Sequence, residues 1–210
     1  MDRSVERRLS SGDLLFLSGD EPTRLFLVEE GLLKVSVVDV EGCETLVGLL
    51  VEGDLVGHEA MIEDMPHHAD VTAVGTCRVR ALDGRHLLGI LEKDPRATLE
   101  IVRSLTERLR KTREMALERT VGEVQNRLAG RLMELAELLG RMQGGTITLQ
   151  VPLDQTDLGR LAGICRESTC KTMSRFRRNG IVDYHGKELR ILRPDVLQRL
   201  RCGAKLDSGA

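Results

Sequence analysis

Aromatic residues are nearly absent from this chain. They make up 2% of its 210 residues, with three Phe, one Tyr and no Trp. Proteins that hold single-stranded nucleic acid stack its bases on aromatic rings, so a stacking platform is not expected. Cysteine is also sparse. The five Cys are scattered, odd in number and without a CxxC pair, which fits reduced thiols rather than a disulfide frame. No apolar run approaches membrane-spanning length, and Met1 to Arg8 lacks the apolar core of a signal peptide. The expected location is therefore the cytoplasm, with no membrane partner. The GxxxxGK[ST], HExxH and GxSxG patterns are missing as well, so an enzyme is not expected.

What remains is an ordinary hydrophobic content of 41%, enough for a real core, in a chain long enough for one large or two small domains. The net charge of −2 conceals an asymmetry. From Gly159 to Lys205 there are twelve Lys and Arg against four acids, a local charge of +8 that leaves −10 on the remainder. A basic tail on an acidic body is the electrostatic pattern of local nucleic-acid contact.

Residues from about 9 to 84 carry short apolar runs: 14–17, 25–28, 32–38, 45–51, 71–74 and 77–82. Turn signals such as Gly19-Asp20, Glu30-Gly31, Glu41-Gly42 and Glu52-Gly53-Asp54 separate them, the pattern of a sandwich, barrel or roll. A short helix is expected near 86–92. Asp94-Pro95 then opens a long helix, in which Val102, Leu105, Leu109, Thr112 and Ala116 keep an alternating spacing of three and four. So narrow an apolar seam suits an identical partner helix, and a homodimer is expected. Another helix spans 121–139, and Gly144-Gly145 is the loop before a strand at 146–149.

The segment 154–192 organises the rest. Asp154 is a good N-cap for a helix whose buried side is Leu158, Leu161 and Ala162. Gly163 supplies a tight turn into a second helix, where Thr169, Met173 and Phe176 form an apolar stripe. Arg166, Glu167, Cys170, Lys171 and Ser174 fall on the opposite face. Asn179-Gly180 ends that helix, and 181–192 forms a hairpin around His185-Gly186. Helix, turn, helix, hairpin is a winged helix, used mainly to read duplex DNA.

With the segments Glu30-Gly31-Leu32-Leu33-Lys34-Val35, Glu52-Gly53-Asp54-Leu55-Val56-Gly57 and Arg166-Glu167-Ser168, nearly the whole chain resembles the cyclic-AMP receptor protein/FNR family of bacterial transcription regulators. The resemblance implies an α+β fold: an N-terminal double-stranded β-helix (a jelly roll of the cyclic-nucleotide-binding kind) over 1–94, a dimerisation helix over 95–120 and a C-terminal winged helix-turn-helix over 121–210. It also implies a palindromic, TGTGA-like double-stranded DNA site. Arg166, Glu167 and Lys171 match its base-reading positions, with Cys170 on the same side, while Thr156, Ser168 and His185 match positions that touch phosphate. Lys171 stands where the family usually has Arg, and a flexible ammonium cannot reproduce a planar fork. RNA polymerase is a partner of relatives through a surface corresponding to the loop between Leu139 and Thr146, which is short here.

The effector cradle transfers badly. The resemblance places it at Gly57, His58, Glu59, His68, Ala69, Thr112 and Arg113, where cyclic-AMP binders hold ribose on a Gly-Glu pair and phosphate on an Arg-Ser pair. His68-Ala69 replaces that Arg-Ser pair. A phosphodiester needs a permanent cation and neighbouring donors, and a His with a reference pKa of about 6.5 beside an Ala supplies neither. Control by cyclic AMP is therefore not expected. The N-terminal cysteines that hold an iron–sulfur cluster in FNR-like members are missing. His58, His67, His68 and Cys77 are candidate haem ligands, although His67-His68 follows Pro66 in a polar loop and reads as surface. Cys165 and Cys170 are candidate redox thiols, Cys165 standing at a helix N-terminus beside Arg166. The alternative function is a cyclic-nucleotide- or haem-binding sensory module in which the roll is the main working part.

Overall fold

The computed structural model describes residues 4–121, 123–150, 153–185 and 188–206, without the side chains of residues 86, 108, 111, 114–121 and 185. The chain divides into two units, residues 1–111 and 112–210.

The first unit is an antiparallel roll built from β1 (Val5–Leu9), β2 (Leu14–Phe16), β3 (Arg24–Val38), β4 (Glu44–Leu50), β5 (Leu55–Val56) and β6 (Asp70–Asp83), with α1 (His58–Glu63) before β6. The order is β1-β6-β3-β4, with β2 also on β6 and β5 also on β3. Alternating apolar residues turn inward, and Leu9, Leu15, Phe26, Val28, Leu33, Val71, Val79 and Ala81 make one dry core. Two expectations are corrected here. The runs 25–28 and 32–38 form one strand, and so do 71–74 and 77–82. Glu30-Gly31 is not a turn between strands but an irregularity inside β3, where the register to β6 shifts. Gly31 has φ +95°, and a Cβ there would lie 2.6 Å from the Thr76 carbonyl oxygen. α2 (Gly84–Lys93) follows β6, and α3 (Pro95–Val121) is one continuous helix.

The second unit holds α4 (Val124–Leu139), β7 (Arg141–Gln143), β8 (Thr146–Gln150), α5 (Gln155–Ala162), α6 (Arg166–Arg178), β9 (Val182–His185), β10 (Glu188–Ile191) and α7 (Pro194–Arg201). Leu128, Leu132 and Leu135 of α4 recur at helical spacing and are fully buried, as are Leu149, Leu158, Phe176, Leu189 and Leu197. The sheet runs β7-β8-β10-β9. β9 and β10 form the expected hairpin, Val182 opposite Ile191, although residues 186 and 187 at its tip lie outside the described residues. Two elements of this unit escaped the sequence reading. β7 pairs with β8 across Gly144-Gly145, so that loop is a hairpin turn, and α7 closes the unit with Pro194 in its first turn.

Candidate nucleic-acid interface

The interface is built from α5 and α6. The Asp154 carboxylate accepts from the backbone N–H groups of Thr156 (2.7 Å) and Asp157 (2.8 Å), starting α5 where two donors would otherwise be orphaned. Gly163 turns the chain at φ +63°. The two helices then cross at Gly159, where a Cβ would meet Thr169 Oγ1 at 2.6 Å and the Ile164 carbonyl at 2.8 Å. Thr169 is itself fully buried, its hydroxyl donating to the Cys165 carbonyl at 3.0 Å, which lets a polar residue share the apolar stripe with Met173 and Phe176.

With that stripe inward, Arg166, Glu167, Lys171 and Ser174 are exposed. Among the described residues, Arg166, Glu167 and Lys171 make no ion pair, so the face is not neutralised internally. Cys170 is half-buried and its thiol donates to Gln155 Oε1 at 2.7 Å. Gln155 was missed by the sequence reading. Its neighbour Asp154 signalled only a cap, and nothing local indicates that the first residue of α5 meets the second turn of α6. Ser168 is half-buried and accepts from the Cys165 thiol at 3.2 Å. Donation to the thiolate from the Ser168 hydroxyl, then from the Ser168 and Glu167 backbone N–H groups, holds the pKa of the exposed Cys165 below the usual range. Thr156 is half-buried in the first turn of α5. His185 lies in β9, with its side chain outside the described residues. The wing's Tyr184 is pushed up to about 12 by burial and stays a neutral phenol.

In the roll, the effector candidates differ in burial. Gly57 caps α1 at φ +84°, His58 is 3% exposed in its first turn, and Glu59 beside it faces outward. His68 is exposed, its Nε2 3.3 Å from Glu63 Oε2, and Ala69 is half-buried. His67 is not surface, as its sequence context suggested, but 6% exposed and stacked on Phe16 with ring centroids 3.7 Å apart. Its backbone pins the neighbouring loop, N–H to the Asp20 carbonyl and carbonyl to the Gly19 N–H. Burial pulls its imidazole pKa down, opposed by nearby Asp20. Cys77 is a core residue whose thiol donates to the Leu32 carbonyl at 2.9 Å, and burial raises its pKa. A cavity of about 530 Å³ opens among Val5, Arg7, Phe16, Arg24, Phe26 and His67. None of Gly57, His58, Glu59, His68 and Ala69 lines it. Thr112 and Arg113 are exposed on α3.

Residues 6–94 match the cyclic nucleotide-binding domain family and residues 126–200 the Crp-like helix-turn-helix domain family. The chain belongs to the cyclic-AMP receptor/FNR family of transcription regulators. This regulator is 25% identical over 188 residues, 90% of its length and 84% of the relative's, to a CRP-like cAMP-activated global transcriptional regulator of Mycobacterium tuberculosis. It is 25% identical over 202 residues, 95% of its length and 80% of the relative's, to the fumarate and nitrate reduction regulatory protein of Yersinia pestis. The structure of FixK2 from Bradyrhizobium japonicum shares its fold, with a TM-score of 0.84 at 18% identity over 96% of this chain and 99% of that one. As a family member the chain is a DNA-binding regulator, and no described helix is long and apolar enough to cross a membrane.

Proposed function

We propose that this regulator acts as a homodimer on a palindromic, TGTGA-like duplex and does so without cyclic AMP. The observation that carries the reading is the division of α6 into a dry side and a wet one, with Arg166, Glu167 and Lys171 exposed and free of ion pairs among the described residues. Arg166 can offer a two-pronged donor to guanine O6 and N7, and Glu167 can accept from cytosine N4, each worth about 1–3 kcal/mol of discrimination. Lys171 donates from a flexible stem, so its base is read more loosely. Cys170 and Gln155 stand beside these groups. Thr156, Ser168 and His185 serve the phosphates, which sets register rather than sequence.

Dimerisation through α3 is supported by Leu99, Val102 and Leu109, each about half exposed at 48–50%. Ala116, the last position of the seam, lies outside the described side chains. Two recognition helices would then enter the major groove about 34 Å apart. The domain reading that accompanies this is a roll to residue 94, a seam helix over 95–120 and a winged helix from 121.

The residues of the implied cradle do not fit a cyclic nucleotide. His68 already faces Glu63, Ala69 has no side-chain donor, and His58 is buried where ribose would need a carboxylate. Haem is no better served, since Cys77 and His67 are committed to the core and to the Phe16 stack. With β7 and β8 joined by a tight turn, an activating contact to RNA polymerase through that segment is not part of this reading.

A gel shift with a TGTGA-type palindrome across salt, with and without cyclic AMP, tests the reading. Binding that needs no nucleotide is expected. Arg166→Ala is expected to lose roughly 5- to 150-fold on the palindrome, from about 1–3 kcal/mol, and little on an unrelated duplex. Unchanged palindrome binding by the variant would remove the direct-readout assignment, and binding only with cyclic AMP would remove the nucleotide independence.

A further inference from the structure

We propose that the last turn of α6 is a phosphate clamp, in which Arg178, flanked by Arg175, grips the DNA backbone beyond the base-reading residues. The proposal rests on α6 being the recognition helix. Glu167, Lys171, Ser174 and Arg178 succeed one another at steps of four, three and four, so they line one stripe opposite Thr169, Met173 and Phe176. All four are exposed. From Glu167 to Arg178 the helix rises about 16 Å, more than the roughly 12 Å width of the major groove. A helix whose first turn meets base edges therefore carries its last turn to the groove's rim, where the phosphates stand.

The cations at that end are not equivalent. The last turn holds Arg175, Arg177 and Arg178. Arg177 Nε lies 3.3 Å from Asp183 Oδ1 and is engaged with the wing. Arg175 and Arg178 make no ion pair among the described residues. Any cation here also meets the negative end of the helix dipole, which alone would account for a basic last turn. It would not account for Arg178 lying on the stripe that carries Glu167 and Lys171 while its neighbour Arg177 is neutralised. Arg177 is thus an internal control, with the same place in the dipole but a carboxylate already in its grasp. The partner chemistry is the phosphodiester backbone, which a guanidinium meets with paired N–H donors and without sequence information.

The test is equilibrium binding of the full chain to the palindrome and to an unrelated duplex between about 50 and 200 mM salt. Arg178→Ala is expected to weaken both duplexes by the same factor and to flatten the slope of log K against log salt by about 0.9 per bound chain. Arg178→Lys keeps most of the slope, and Arg177→Ala leaves it unchanged. Arg178→Gln, which keeps the chain length and helix preference, repeats the measurement should the alanine variant fold poorly. An unchanged slope in Arg178→Ala or Arg178→Gln, or a loss confined to the palindrome, overturns the clamp. If the unaltered protein binds neither duplex, the recognition-helix reading falls with it; if it binds and only the slope fails to change, the clamp alone is lost.

Discussion

Gly31 shows how a single residue can carry a constraint that its neighbours in sequence do not reveal. Its φ of +95° lies where side chains are strained, and a Cβ would also fall 2.8 Å from Cys77 Cα and Sγ. Gly31→Ala is expected to destabilise the roll by about 2–4 kcal/mol, combining left-handed strain with overpacking. Urea unfolding followed by circular dichroism would measure it, and an unshifted midpoint would mean that β3 and β6 separate there at no cost. In sequence, Glu30-Gly31 looked like an ordinary turn, because a bulge and a turn both call for glycine. At Asp154 the local signal was sufficient. A carboxylate one residue before a helix has few uses, and capping is the one observed.

Among the elements, α3 and α6 are the two to which the proposed function assigns partners. Val102→Asp or Leu109→Asp would put a charge in the seam without disturbing a described core, since both side chains are half exposed in the single chain. Each is expected to shift the protein to monomer in sedimentation and to weaken the palindrome much more than a half-site. A variant that stays dimeric would move the interface elsewhere. The inward face of α6 was legible in advance because a helix repeats every 3.6 residues and the stripe is local. β7 and α7 were not, being a three-residue strand and a two-turn helix with little pattern to detect. Their existence depends on β8 and α4, against which they pack.

Across the whole molecule, charge and titration are divided between the units. The +8 of residues 159–205 predicts DNA binding that weakens steeply with salt, while stability of the roll has a pH dependence of its own. Burial holds His67 below its ordinary value of about 6.5, so the unfolded chain takes up the proton first. Stability is therefore complete above about pH 6.5 and falls as the pH drops below it, towards the lowered folded value. Thermal melts between about pH 8 and pH 5 are expected to show that fall, and His67→Phe, which keeps a ring for Phe16 to stack on, is expected to reduce it. A variant whose melting profile still falls as before would place the titrating group elsewhere.

Sequence alone determined the order of β-rich segment, long helix and winged helix, and the outward set Arg166, Glu167 and Lys171. Each of these rests on local periodicity, on capping or on the chemistry of residues read in place. Only the tertiary structure decided that His67 is a core residue against Phe16, that Gln155 meets Cys170, that α5 and α6 cross at Gly159, and that the roll's cavity is lined by Phe16, Arg24 and His67, against which Gly57 packs. Those facts depend on segments brought together across the fold, by packing that no single stretch of chain specifies.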